Sequence, residues 1–390
     1  MRDLLLGREP KDFDIATDAH PEDVRRLFRN CRLIGRRFRL AHVMFGREII
    51  EVATFRARQE PGGNNGEQHV DGEGRIVRDN VYGTIEDDAL RRDFTVNALY
   101  YNIADFSIID YTGGMRDLEA GVLRLLGDPE TRYREDPVRM LRAVRFATKL
   151  GFRIETETER PIMELASLLR DIPPARLFDE MLKLFMVGSA LANFEMLRHY
   201  DLFRQLFQLT EESLTHQEGN FPLTLVNRGM ANTDARVDAG KPVTPAFLFA
   251  VFLWQPVRDL AAQLEAKGQA PAQALQHASS QIIAEQGAVM ATPRRFSLPM
   301  REIWMLQLRL ERKGGRRSQR VLGHPRFRAA YDFLLLRGEA GEVSRELCDW
   351  WTEFQEMHPE QREQEVTKTR PRKRRRRRPR RKSGNEDSNA

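Results

Sequence analysis

The chain has 390 residues, 41% apolar and 31% charged, with a mean hydropathy of −0.55. That suits two or three domains with a sizeable core, and no apolar run approaches the about 18 residues of a membrane-spanning helix. The opening MRDLLLGREP lacks a signal-peptide pattern, and Cys31 and Cys348 are too few and too far apart for a disulfide scaffold or a Cys-built zinc site, so a reducing cytoplasm is expected.

The formal net charge of +6 is unevenly spread. Twelve cations (Lys368, Arg370, Arg372, Lys373, Arg374, Arg375, Arg376, Arg377, Arg378, Arg380, Arg381 and Lys382) precede only two acids, Glu386 and Asp387. Residues 368–390 thus carry +10 and the other 367 carry −4. Such a block of like charge is expected to stay disordered and to bind RNA phosphates without regard to sequence. A solubilising tail or attraction to an anionic membrane is the alternative.

In chain order, Asp14–Thr17 reads as a strand. Pro21–Phe28 reads as a short helix, with Pro at its first position and Glu22 and Asp23 in its first turn. Arg39–Phe45 and Ile49–Phe55 read as strands joined at Gly46 in a hairpin. Residues 58–75, rich in Gly, Asn, Gln and Glu, read as a mobile loop. Asp87–Tyr101 is expected to be helical and Ile108–Tyr111 to be a strand. Beyond about residue 126 the pattern turns helical: Asp136–Leu150, stopped by Gly151, then 158–169, 174–187, 190–202, 245–264, 271–285, 301–311, 325–336 and 341–356. The expected fold is α+β: a small α/β head with a mixed sheet (1–125), a helical neck (126–190), a helical body (191–357) and a disordered basic tail (358–390).

Three patterns carry candidate chemistry. Asp12 and Asp14, two apart on a strand, point to one face, and two close carboxylates favour a divalent cation between them. Glu51 interrupts an otherwise apolar strand; it needs a cation or donors nearby, or an edge position facing water. In a helix, Asp93 and Asn97 share a face at i,i+4 with Arg92 alongside, which suits a sugar and phosphate or a surface ion pair. Glu135, Arg139 and Arg142 fall on one helical stripe, able to read a base edge or a triphosphate, or simply to solubilise the helix. No GxxxxGK[ST], GxSxG or HExxH occurs, and the eight His residues show no metal-ligand spacing, so His42 is expected to be a structural strand residue.

Taken together, Asp12-Phe13-Asp14, the Glu51 strand, Arg91-Arg92-Asp93-Phe94-Thr95-Val96-Asn97 and Glu135-Asp136-Pro137-Val138-Arg139 follow the order of class II nucleotidyltransferases. The chain resembles the bacterial poly(A) polymerase branch of that superfamily, whose other members include the tRNA CCA-adding enzymes. The runs 30–43 and 245–250 and the polybasic end carry the branch resemblance. It implies template-independent addition of AMP from ATP to RNA 3′ ends, with pyrophosphate released and no covalent enzyme intermediate needed. It implies two Mg²⁺ ions, Mn²⁺ being an alternative, on Asp12 and Asp14, with Glu51 as a further metal-ligand candidate and Asp93 counted among the catalytic carboxylates. Arg2, Asp3, Arg92, Asn97, Glu135, Asp136, Arg139 and Arg142 are the expected nucleotide-binding set. RNA is the expected partner, with RNA-degradation machinery and a role in mRNA turnover, and the protein is expected to be a monomer. The family's Gly-Gly-x-Val-Arg-Asp opening is represented here only by Arg2-Asp3, so an N-terminally truncated head is expected. CCA addition, or a catalytically impaired RNA-binding protein, are the rival readings.

Overall fold

The computed structural model describes residues 1–10, 13–35, 39–57, 68–70, 76–79, 81–215 and 221–368. The described residues fall into two compact units. The first lies within Met1–His216, Gly229–Pro245 and Ile283–Pro293, and the second within Gln217–Arg228, Ala246–Ile282 and Arg294–Ala390.

The first unit opens with α1 (Arg2–Leu5), β1 (Asp14–Thr17), α2 (Pro21–Leu27), β2 (Cys31–Ile34), β3 (Leu40–Phe45) and β4 (Glu48–Thr54). These strands form one mixed sheet in the order β1-β4-β3-β2, parallel between β1 and β4 and antiparallel elsewhere. The β3–β4 hairpin turns at Gly46, whose φ of 64° is readily available only to glycine. Alternation sorts the two faces. Ala41, Val43 and Val52 join Val24 of α2 in a small core, while the other face is mixed, with Arg32, His42, Glu51 and Asp14 among Ile34, Leu40, Met44 and Ile49.

Next come β5 (Gln68–Val70), β6 (Ile76–Asp79), α3 (Ile85–Leu90), β7 (Leu99–Tyr101), β8 (Ile108–Asp110), α4 (Gly114–Glu119), β9 (Val122–Leu123), α5 (Pro129–Glu135), α6 (Val138–Leu150) and β10 (Arg153–Ile154). Three expectations change here. Residues 68–70 pair with β6, so the stretch 58–75 is not loop throughout; its other residues lie outside those described. Asp87–Tyr101 is not one helix: α3 ends at Leu90, a 3₁₀ turn covers Thr95–Asn97, and β7 pairs with β8. The reason is tertiary: the Asp93 carbonyl accepts from Leu126 N (2.9 Å) and Thr95 N donates to the Arg124 carbonyl (3.0 Å). Finally, the helix expected from Asp136 starts at Val138. Pro137 holds Asp136 extended (φ −150°, ψ 91°), which separates α5 from α6. The stop at Gly151 stands, in the left-handed region at φ 73°.

The rest is helical: α7 (Thr156–Glu159), α8 (Pro161–Leu165), α9 (Pro174–Phe185), α10 (Ala190–His199), α11 (Leu202–Leu206), α12 (Gln208–Thr215), α13 (Phe221–Asp238), α14 (Pro245–Phe252), α15 (Trp254–Ala266), α16 (Pro271–Val289), α17 (Arg294–Leu310), α18 (Gly315–Leu322), α19 (Phe327–Glu339), α20 (Arg345–Glu356) and α21 (Pro359–Lys368). In the second unit α17 to α20 close on Leu306, Leu310, Val321, Tyr331, Leu334, Trp351 and Phe354, all buried. Among the described residues no helix is long and apolar enough to cross a membrane.

Candidate nucleotide site

The face of the sheet away from α2 carries a polar row fixed by strand register: Asp14 opposite Glu51, Glu51 opposite His42, and His42 opposite Arg32. Register partners point to the same side. Glu51 is therefore on an inner strand, not at an edge, and it reaches water from the open face with its side chain 48% exposed. The His42 Nε2 lies 3.1 Å from Glu51 Oε1 but makes no hydrogen bond among the described residues. Asp14 is exposed at the start of β1. Asp12 lies outside the described residues.

Asp93 is set differently. It follows α3 and precedes the 3₁₀ turn, and its side chain is only 12% exposed. One carboxylate oxygen accepts from Phe94 N (2.8 Å) and Asn97 Nδ2 (3.0 Å). The other accepts both Nε (2.7 Å) and Nη2 of Arg142 on α6. Asp93 and Asn97 do meet, but through the 3₁₀ turn and not along an α-helical face. Burial pushes the Asp93 carboxyl up; the Arg142 charge and the Asn97 and Phe94 donors outweigh it and hold it below the ordinary value of 3.8.

Around this clasp lies a cavity of about 400 Å³ lined by Arg2, Arg92, Asp93, Asn97, Asp136, Arg139, Arg142 and Phe146. That volume suits a small organic ligand. Four guanidiniums against two carboxylates favour an anionic one. Each wall residue is braced from behind. Arg2 bonds Asn97 Oδ1 and Asp3 (Nε, 2.7 Å). Asp3 in turn takes Lys149 Nζ at 3.1 Å; burial pushes its carboxyl up, but the Arg2 and Lys149 bonds bring it below the ordinary range. Arg92 pairs with Asp88 (3.0 Å), Arg139 with Glu135 (3.0 Å), and Asp136 with Arg176 (2.7 Å). Arg132 donates to the Arg91 and Arg92 carbonyls (3.0 and 2.8 Å), fixing the backbone beside Asp93.

The structure thus gathers Arg2, Arg92, Asp93, Asn97, Asp136, Arg139 and Arg142 on one cavity. Asp3 and Glu135 stand behind it, and Asp14 and Glu51 sit on the open sheet face. Glu135 ends α5 and meets Arg139 across the Pro137 break, so the expected stripe is not on one helix. Sequence reasoning missed Phe146. Its ring lies under the guanidiniums of Arg2 (4.9 Å), Arg142 (5.3 Å) and Arg145 (4.6 Å to the centroid). Its place four residues after Arg142 on α6 was the available signal. The basic residues from Arg370 onward lie outside the described residues, and Lys368 ends α21.

Comparison with known proteins gives three family matches. They are the poly A polymerase head domain over residues 1–124, the family described as "Probable RNA and SrmB- binding site of polymerase A" over 151–214, and the polymerase A arginine-rich C-terminus over 267–383. The chain is 51% identical over 365 residues to poly(A) polymerase I of Escherichia coli O6:H1, covering 92% of this chain and 78% of that protein. It is 50% identical over 369 residues to poly(A) polymerase I of Haemophilus influenzae, covering 93% and 81%. The CCA-adding enzyme of Bacillus subtilis is 34% identical over 60% of each chain. Among solved structures, the Bacillus stearothermophilus CCA-adding enzyme in complex with CTP aligns with a TM-score of 0.57 at 26% identity, over 90% of this chain and 75% of that one.

Proposed function

The chain belongs to the bacterial poly(A) polymerase family and is a polynucleotide adenylyltransferase, and from that premise we propose how its residues divide the work. ATP enters the cavity over Phe146, its phosphates drawn by the guanidiniums of Arg2, Arg92 and Arg142. Asp136 and Arg139 face the base, which has no template to select it and must be chosen by side chains. Asp93 acts first as the fixed acceptor that aims Arg142 and Asn97. The observation that carries the reading is the match to poly(A) polymerases along nearly the whole chain, against lower identity over a smaller share for CCA-adding enzymes.

The sheet face suits a hard cation. Asp14 and Glu51 are exposed carboxylates in register, the donor type that Mg²⁺ or Mn²⁺ takes, with Asp12 two residues upstream of Asp14. Among the described residues no group of three or more His, Cys, Asp or Glu suffices for a metal. Asp12, Asp14 and Glu51 are the residues that would hold the ions. Bound there, two divalent ions would supply activation of the RNA 3′-hydroxyl and neutralise charge on the leaving pyrophosphate. The product is RNA lengthened by AMP, a role that fits mRNA turnover.

The test is incubation with RNA and ATP alone, and separately with tRNA lacking its last three nucleotides. Homopolymer growth on generic RNA with ATP alone is expected. A need for CTP with a stop after three additions would make the protein a CCA-adding enzyme, and no incorporation would refute both.

A further inference from the structure

The arginine run after residue 368 hides a second concentration of charge inside the folded part. Residues 309–320 contain six cations and one acid. They span the end of α17, a Gly314-Gly315 turn and α18. The two glycines sit at φ 97° and 70°, which forces the reversal that brings α18 beside α17. Ser318 Oγ accepts from Gly314 N (3.0 Å), and Val321 enters the core of the second unit, so the turn is anchored at both ends. Arg309, Arg312, Lys313, Arg316, Arg317 and Arg320 are all exposed. None makes an ion pair or side-chain hydrogen bond among the described residues. The one acid, Glu311, is committed to Arg337 at 2.7 Å. α18 also packs against α21, from whose end the chain runs on into the arginine-rich segment.

Six cations with no ion-pair partner among the described residues, held on folded backbone, repel one another, an arrangement that costs stability unless an anion accepts them. We infer that these six side chains form a folded binding surface for RNA phosphates, separate from the nucleotide cavity and from the arginine run. This rests on the reading of RNA as substrate. Five of the six are arginines, whose fork matches phosphate oxygens two at a time. The neighbourhood argues against a membrane: interfacial helices pair their cations with exposed large apolar residues, whereas no exposed large apolar side chain occurs among the described residues after Leu298. The surface would hold the body of the RNA on a rigid support while the 3′ end is extended.

The test compares the intact protein with Arg312→Gln/Arg316→Gln/Arg317→Gln/Arg320→Gln, each with and without residues 368–390. Binding of an oligoadenylate is read by fluorescence anisotropy over a series of salt concentrations, beside a polyadenylation assay and vesicles of phosphatidylglycerol. At a slope of about −0.7 per phosphate contact on single strands, the four substitutions should flatten the log–log salt dependence by about 3 units, with or without the tail. The pair Arg316→Gln/Arg317→Gln should flatten it by about half as much, which covers poor folding of the fourfold variant. Matching Arg→Lys substitutions should keep most of the slope. Unchanged slopes in a protein that still polyadenylates would overturn this surface while leaving the enzymatic reading intact. Loss of vesicle binding without loss of RNA binding would assign the surface to lipid and overturn the proposal. Failure of the intact protein to bind or extend RNA would overturn both.

Discussion

Replacing Arg142 by Gln removes the cation from a buried carboxylate. Asp93 is 12% exposed, and Arg142 supplies two of its four hydrogen bonds. Breaking a buried pair costs about 3–5 kcal/mol. Because Asn97 and Phe94 N still bond Asp93, and Arg142 is 31% exposed, the low end, about 3 kcal/mol, is expected at neutral pH. The sign with pH follows. In the native protein the Asp93 pKa lies below its unfolded value, so its contribution is full above about 4 and is lost as pH falls through the folded value. In the variant the Arg142 charge no longer opposes burial, so the folded pKa lies higher than in the native protein and acid costs the variant less. The gap between the two proteins should therefore be widest near pH 7 and narrow toward pH 4. Denaturant unfolding of the first unit at both pH values measures it. A double variant, Asp93→Asn/Arg142→Gln, should recover much of the loss, because no bare charge remains. A deficit independent of pH, or strictly additive losses, would refute the clasp as described.

Other outcomes follow from the same geometry. Asp14→Ala should cost roughly 10³-fold or more in AMP transfer, several kcal/mol at about 1.4 per decade, with RNA binding retained; a rate within tenfold of the parent in Mg²⁺ would remove Asp14 from the reaction. Arg139→Ala should erode the preference for ATP over CTP and GTP by about 1–3 kcal/mol, read from competing kcat/KM values; unchanged preference with lowered stability would make Arg139 a brace for α5. Deleting residues 368–390 should flatten the salt dependence of RNA binding by roughly 4 units, if half of its cations touch phosphates; equal slopes would give the tail another task.

What the sequence disclosed was what runs along the chain. The Gly46 hairpin, the Pro21 start of α2 and the Gly151 stop of α6 depend on neighbours within a few residues. What it withheld was what crosses the chain. The Asp93–Arg142 contact spans 49 residues, and helical periodicity says nothing about a partner on another element. The parallel β1–β4 pairing, which sets Asp14 beside Glu51, joins strands that are not consecutive, so no turn signal announces it. The 3₁₀ turn at Thr95–Asn97 arises from backbone bonds to Arg124 and Leu126, invisible to a count of helix formers. Averaging concealed the cations of 309–320: a net −4 over 367 residues includes a local excess of five.

Among the described residues only one face of the sheet carries a buried core, and that has a consequence for motion. Its buried core is Val24, Ala41, Val43 and Val52, while α6 alone buries Val138, Met140, Leu141, Ala143, Val144, Phe146, Ala147 and Leu150. Local opening is easiest where apolar contacts are fewest. Amide protons in β1 to β4 should accordingly exchange with solvent well before those of α6. The strand bearing Asp14 is then expected to open more readily than the helix bearing Arg139 and Arg142, so the sheet face is the more adaptable part of the head and the cavity wall on α6 the more rigid one.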